Sequence, residues 1–134
     1  MKAIIIKIGN LFLLLFMLGA GCGRETTPCA CGVENPQENL EWLDHLLQKR
    51  FCTEVYSIQY EGQEYIGIYD CPDVIDGSVV IYTCDGEQFC AYWGESGKWT
   101  CEDINTDEFK AALDNKELIY KQETNPYWEV DEDE

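Results

Sequence analysis

Eight cysteines supply most of the chemistry open to this chain: Cys22, Cys29, Cys31, Cys52, Cys71, Cys84, Cys90 and Cys101. A thiol can carry a modification, close a disulfide, ligate a metal or act as a nucleophile, and its surroundings decide which. Nucleophilic catalysis needs a base. His45 is the only histidine, and Cys52, seven residues on, shares roughly its helix face but lies two turns, about 10 Å, away. His45 therefore reads as a solvated helix residue. Cys29-x-Cys31 departs from the Cys-x-x-Cys spacing of dithiol and zinc motifs, so no metal site is expected there and disulfides are preferred. Asp103-x-Asn105-x-Asp107 opens like a calcium loop, but Glu108 stands where the loop needs Gly, and Asp114 where it needs a bidentate Glu. The same residues serve better as a helix start, with Asn105 as cap. With 26 acidic residues in the chain, paired carboxylates for acid–base catalysis cannot be singled out by spacing. No cofactor is implied.

Cys22 differs from the other seven because of what precedes it. Lys2 and Lys7 give a basic start, Ile8 to Leu18 an apolar segment interrupted by Gly9 and Asn10, and Gly19-Ala20-Gly21 a small-residue run. This is the layout of an export signal over residues 1–21. Polar chain from Arg24, without a basic stop-transfer cluster, argues against a permanent membrane span. A small residue before Cys behind such a segment resembles the lipobox of bacterial lipoproteins, which implies that the Cys22 thiol is diacylglycerylated and becomes the mature N-terminus. Gly19 stands where lipoboxes usually carry Leu, with Leu18 one step back. A multiply acylated N-terminus is enough for stable membrane attachment.

Export implies an oxidising compartment, so Cys29, Cys31, Cys52, Cys71, Cys84, Cys90 and Cys101 are disulfide candidates. Seven is odd. If Cys22 bears lipid, one thiol is left over, expected at Cys29 or Cys31; if it does not, eight cysteines make four bridges. Cys29 and Cys31 are too close to join each other. The net charge of −17 becomes more negative once Lys2 and Lys7 leave with the signal. That balance excludes a nucleic-acid partner, since phosphate neutralisation needs clustered Lys and Arg.

The elements that must position these cysteines follow from periodicity. Residues 22–34 read as a tether. Asn35-Pro36-Gln37-Glu38 marks a helix start, with Asn as cap, Pro at the first helical position and Glu reaching back, followed by Leu40, Leu43, Leu46 and Leu47 and closed by Lys49-Arg50. From Glu54 to Trp99 the period becomes two. Tyr56, Ile58 and Tyr60 share a face with Tyr65, Gly67 and Tyr69 across a turn at Glu61-Gly62, while Ile66 and Ile68 face the other way. Runs over 78–84 and 87–93 are joined by Asp85-Gly86, a hairpin signal. If Trp93 and Lys98 flank the turn at 94–97, Cys90 falls opposite Cys101 and can bridge to it. A short helix with Phe109, Ala112 and Leu113 on one face and a strand over 117–121 complete a single domain, 35–123. Residues 124–134 read as an acidic tail. The fold class is α+β: an N-terminal helix packed on an antiparallel β-meander in two layers, with a short second helix and a closing strand, disulfide-stapled.

The order of "CACGVENPQENLEWLDHLL", "YEGQEYIGIYDC", "IYTCDGEQFC" and a later Cys resembles small cysteine-containing lipoproteins of Bacteroidota-type bacteria. The resemblance runs from Cys29 to about Cys101 and brings no activity, ligand or catalytic residue with it. The function expected is that of a non-enzymatic binding or accessory module, lipid-anchored in the cell envelope, on the periplasmic or surface face of the outer membrane. Its partner is an unknown protein or glycan. Any of Tyr56, Tyr60, Tyr65, Tyr69, Tyr82, Phe89 and Trp93 left on an open sheet face would form a contact patch. The alternative is an inhibitor of a secreted enzyme, presented on the 94–97 turn.

Overall fold

A computed structural model of the chain describes residues 22, 26–72, 74, 76–94, 97–101 and 106–122. The expected signal (1–21), the acidic tail and the Asp103–Asn105 segment lie outside them. The fold is mixed α+β, built on a six-stranded antiparallel sheet. In chain order the elements are β1 (Cys29–Ala30), β2 (Val33–Glu34), α1 (Pro36–Asn39), α2 (Glu41–Leu47), β3 (Thr53–Tyr60), β4 (Gln63–Asp70), β5 (Val79–Thr83), β6 (Gln88–Trp93), β7 (Lys98–Trp99), α3 (Thr106–Asp114) and β8 (Glu117–Gln122).

Alternation along the strands settles the register. Tyr56 pairs with Gly67 and Ile58 with Tyr65 across the β3–β4 hairpin, so the tyrosines share one face and Val55, Ile66 and Ile68 the other. The sheet order is β7-β6-β5-β4-β3-β8. The meander runs to one edge at β7, and the closing strand β8 pairs with β3 at the opposite edge, with a bulge between Val55 and Tyr56.

The two faces build two cores. Val55, Ile66, Ile68 and Ile119 pack with Ala30, Leu43 and Leu47 from the N-terminal segment. Ile58, Tyr60, Tyr65, Ile81 and Cys90 pack with Phe109, Ala112 and Leu113 of α3. Helices therefore lie on both faces, three layers in place of the two expected. The chain has to carry α3 across the sheet to join β7 with β8, and Phe109 fixes the crossing, meeting the Tyr60 and Trp99 rings edge-on at 5.3 and 5.2 Å.

The helix expected from Asn35 onward appears as two short pieces. Asn35 is left-handed (φ 47°, ψ 61°) and makes no side-chain cap. Leu40 is extended (φ −97°, ψ 106°) and restarts the helix as its N-terminal flanking residue. The break turns Leu43 and Leu47 onto the sheet, where both are buried, while the Asn39 side chain donates back to the Glu34 carbonyl at 2.6 Å.

The stretch read as a tether contains a small hairpin. Ala30 pairs with Val33, and the two turn residues, Cys31 and Gly32, both have positive φ (54° and 74°), the signature of a type I′ turn. Ala30, 2 % exposed, anchors this hairpin in the first core. The β5–β6 connection also differs from the expected two-residue turn. Gly86 N–H donates to the Thr83 carbonyl (3.0 Å) and Thr83 N–H to the Glu87 carbonyl (2.8 Å), so Cys84 leaves the strand and joins the turn. A side chain at Gly86 (φ 86°) would meet Trp42 Cγ at 2.7 Å, which is why this position takes no Cβ.

Candidate functional site

The eight cysteines stand in four pairs: Cys22 with Cys29, Cys31 with Cys84, Cys52 with Cys71, and Cys90 with Cys101. Their Cα separations of 5.6, 5.5, 5.6 and 4.9 Å lie within the disulfide range. The Cys90–Cys101 pair follows from the expected register: Trp93 pairs with Lys98 and Tyr92 with Trp99, and Thr100 N–H reaches the Ala91 carbonyl at 2.8 Å. Cys52 and Cys71 close the base of the β3–β4 hairpin, beside the Arg50–Asp70 ion pair (3.4 Å). No described cysteine is free, which is the four-bridge arrangement expected when Cys22 carries no lipid; the leftover thiol at Cys29 or Cys31 belongs to the lipid-bearing form. Cys31 is drawn to Cys84 because the β1–β2 turn sets it over the β5–β6 turn, and Cys29 faces Cys22.

One further acid joins the second pair. Glu64 Oε2 accepts the Cys31 N–H at 2.8 Å and Oε1 accepts the Ser57 hydroxyl at 2.6 Å. Cys84 Sγ lies 3.4 Å from the Glu64 carbonyl oxygen. A carboxylate oxygen of Glu64 and the sulfurs of Cys31 and Cys84 lie within 4.8 Å of one another, all three residues half-buried. Among the described residues this is the one group of three side chains so disposed. Trp42 Nε1–H donates to the Cys84 carbonyl at 3.0 Å, and its ring packs against Tyr82 at 5.4 Å. Glu64 escapes a search based on cysteine and histidine spacing. Its one signal is an acid two residues before Ile66, on the face of β4 that Ile66 and Ile68 turn to the first core.

The sheet face beneath α3 is only partly covered. Tyr60 and Tyr65 are buried. Beyond the reach of α3, Tyr56 and Tyr69 meet edge-to-face at 4.9 Å, with Lys116 Nζ over both rings at 5.1 and 5.4 Å. The Tyr56 hydroxyl donates to Glu54 Oε2 at 2.6 Å. Burial and this carboxylate push the Tyr56 phenol up to about 12, and burial with the neighbouring Tyr56 does the same for Tyr69. Leu118 at the edge of this patch is 50 % exposed. Of the other expected contact residues, Tyr82 and Phe89 are half-buried and Trp93 is 49 % exposed.

His45 is exposed on α2, and Cys52 is held in its disulfide. Asp107, Glu108 and Asp114 lie exposed along α3. Glu95 and Ser96, at the centre of the turn considered for an inhibitor, lie outside the described residues. No helix among the described residues is long and apolar enough to cross a membrane. Comparison with protein-family models, curated proteins and solved structures finds no match in any of the three.

Proposed function

We propose that this chain is an exported, non-enzymatic binding or accessory module of the cell envelope, held at the membrane by lipid on Cys22. The observation that supports it best is the pairing of cysteines across the whole domain, from the β1–β2 hairpin to the end of β7. Such dense pairing suits an oxidising compartment outside the cytoplasm. The apolar segment and small residues before Cys22 supply the export and acylation signals. In the lipid-bearing form the Cys22 sulfur is a thioether, so Cys29 is left as the one thiol. The half-exposed Tyr56–Tyr69–Leu118 face offers a protein or glycan partner an aromatic surface with polar groups at its edge.

A second reading is favoured by the approach of Cys22 to Cys29. If ordinary signal peptidase cuts before Cys22, the two close a fourth bridge and the domain is secreted without lipid. Radioactive palmitate labelling and membrane fractionation separate the readings. Labelled, membrane-bound wild type and an unlabelled, released Cys22→Ala variant support the anchor, whereas unlabelled wild type in the soluble fraction overturns it.

A further inference from the structure

We propose that the Cys31–Cys84 pair, once reduced, forms with Glu64 a three-ligand site for a thiophilic divalent cation such as Zn2+. The opening step is reduction by a dithiol: the Cys31–Cys84 S–S bond takes up two electrons and two protons and becomes two thiols, while the dithiol closes its own S–S bond. On binding, the two thiols give their protons to solvent, and the cation is held by two thiolates and the Glu64 carboxylate.

Three features of the cluster carry this. The first is distance. A tetrahedral Zn2+ with Zn–S bonds of about 2.3 Å sets its two sulfurs about 3.8 Å apart. The Cα separation of 5.5 Å lets side-chain rotation open the bridged sulfurs to that spacing without moving the backbone. The second is that each cysteine has a hold on the fold besides the S–S bond. Cys31 sits in the β1–β2 turn, whose hairpin is anchored by buried Ala30, and Cys84 is held in the β5–β6 turn by Trp42 Nε1–H on its carbonyl. The third is the orientation of Glu64. Donors already fix both of its oxygens, the Cys31 N–H on Oε2 and the Ser57 hydroxyl on Oε1. Outer hydrogen bonds of this kind orient metal-bound carboxylates. Two thiolates and a carboxylate suit Zn2+ and leave a fourth position for water. The bridged and metal-bound forms would both tie the N-terminal hairpin to the β5–β6 turn, so the site exchanges one cross-link for another as the redox state changes.

The test uses the full domain and two readouts. Co2+ is titrated into protein reduced with a phosphine, which does not compete as a thiol would. One Co2+ per chain with thiolate-to-cobalt charge-transfer bands is expected, with at least tenfold weaker binding in Glu64→Gln and no such bands in Cys84→Ser. Absence of the bands in wild type, their survival in Cys84→Ser, or equal affinity in Glu64→Gln overturns the site. The second readout does not require every bridge to open. Under limited reduction, alkylation and peptide mapping with and without Zn2+ should show Zn2+ protecting Cys31 and Cys84 and none of the other cysteines. Labelling unchanged by Zn2+, or a Cys31–Cys84 pair that opens only when the fold is lost, overturns it as well.

Discussion

The bridges close loops of different size, and that difference sets a ranking that can be measured. Cys31–Cys84 spans 53 residues, Cys52–Cys71 spans 19 and Cys90–Cys101 spans 11. If a bridge acts mainly by restricting the unfolded chain, these loops correspond to about 4, about 3 and just under about 3 kcal/mol respectively. Replacing Cys31 and Cys84 together by Ala should then cost roughly 1.4 kcal/mol more than the same change at Cys90 and Cys101, or roughly 6–11 °C in Tm for a domain of this size. Local packing works against the gap, because Cys90 is fully buried and truncating it leaves a void that costs up to about 1 kcal/mol. Cys52→Ala/Cys71→Ala supplies an intermediate point. Thermal and urea unfolding of the three double variants, with m-values compared to detect changes in the unfolded state, gives the ranking. A Cys31→Ala/Cys84→Ala protein that melts within a few degrees of wild type, while the Cys90→Ala/Cys101→Ala protein falls much further, would refute the loop-entropy reasoning.

Two other outcomes follow from the sheet and its turns. The phenols of Tyr56 and Tyr69 are raised to about 12 in the folded protein, above the ordinary value of about 10. The folded state therefore holds these protons more tightly than the unfolded chain. Their contribution to stability is fully present below pH about 10 and is lost as pH rises through about 12. Urea midpoints measured across that window should decline in wild type and decline less in Tyr56→Phe/Tyr69→Phe; parallel curves would show that the two rings do not carry the effect. Gly86→Ala forces a Cβ onto the Trp42 ring at a backbone angle of φ 86°. It should destabilise the domain by at least about 1 kcal/mol and alter the near-ultraviolet circular dichroism as Trp42 loses its contact with the Cys84 carbonyl. An unchanged spectrum and midpoint would place Trp42 elsewhere.

The strands were legible because their signals are local. Tyr-x-Ile-x-Tyr followed by Glu61-Gly62 and Tyr-x-Gly-x-Tyr fixes a hairpin and its register without reference to the rest of the chain, and that register is the observed one. The Cys90–Cys101 pair could be read for the same reason: once Trp93 and Lys98 flank a turn, counting outward sets the cysteines near each other. Helix placement was not local. Phe109, Ala112 and Leu113 mark an apolar face, but which side of the sheet it covers depends on the chain returning from β7 to pair with β3, a long-range event that periodicity does not record. Asn35-Pro36 carried a helix-start pattern, yet Asn35 is left-handed, because its N–H is drawn back to the Pro28 carbonyl at 2.8 Å and the β1–β2 hairpin dictates the entry angle. The hairpin itself was hidden by two-residue strands with a cysteine in the turn. Glu64 was visible only as an acid sharing a strand face with Ile66 and Ile68, and its place beside Cys31 and Cys84 arises from three segments distant in sequence.

The state of Cys22 separates a lipid-anchored protein from a secreted one. The mature protein, isolated without reduction from the cells that make it, is to be digested and its N-terminal and Cys29-containing peptides mapped by mass spectrometry. The expected result is a chain that begins at Cys22 with acyl groups on that residue, and Cys29 as a thiol or joined to a second molecule. A lipid-free peptide in which Cys22 is disulfide-bonded to Cys29 of the same chain would contradict it.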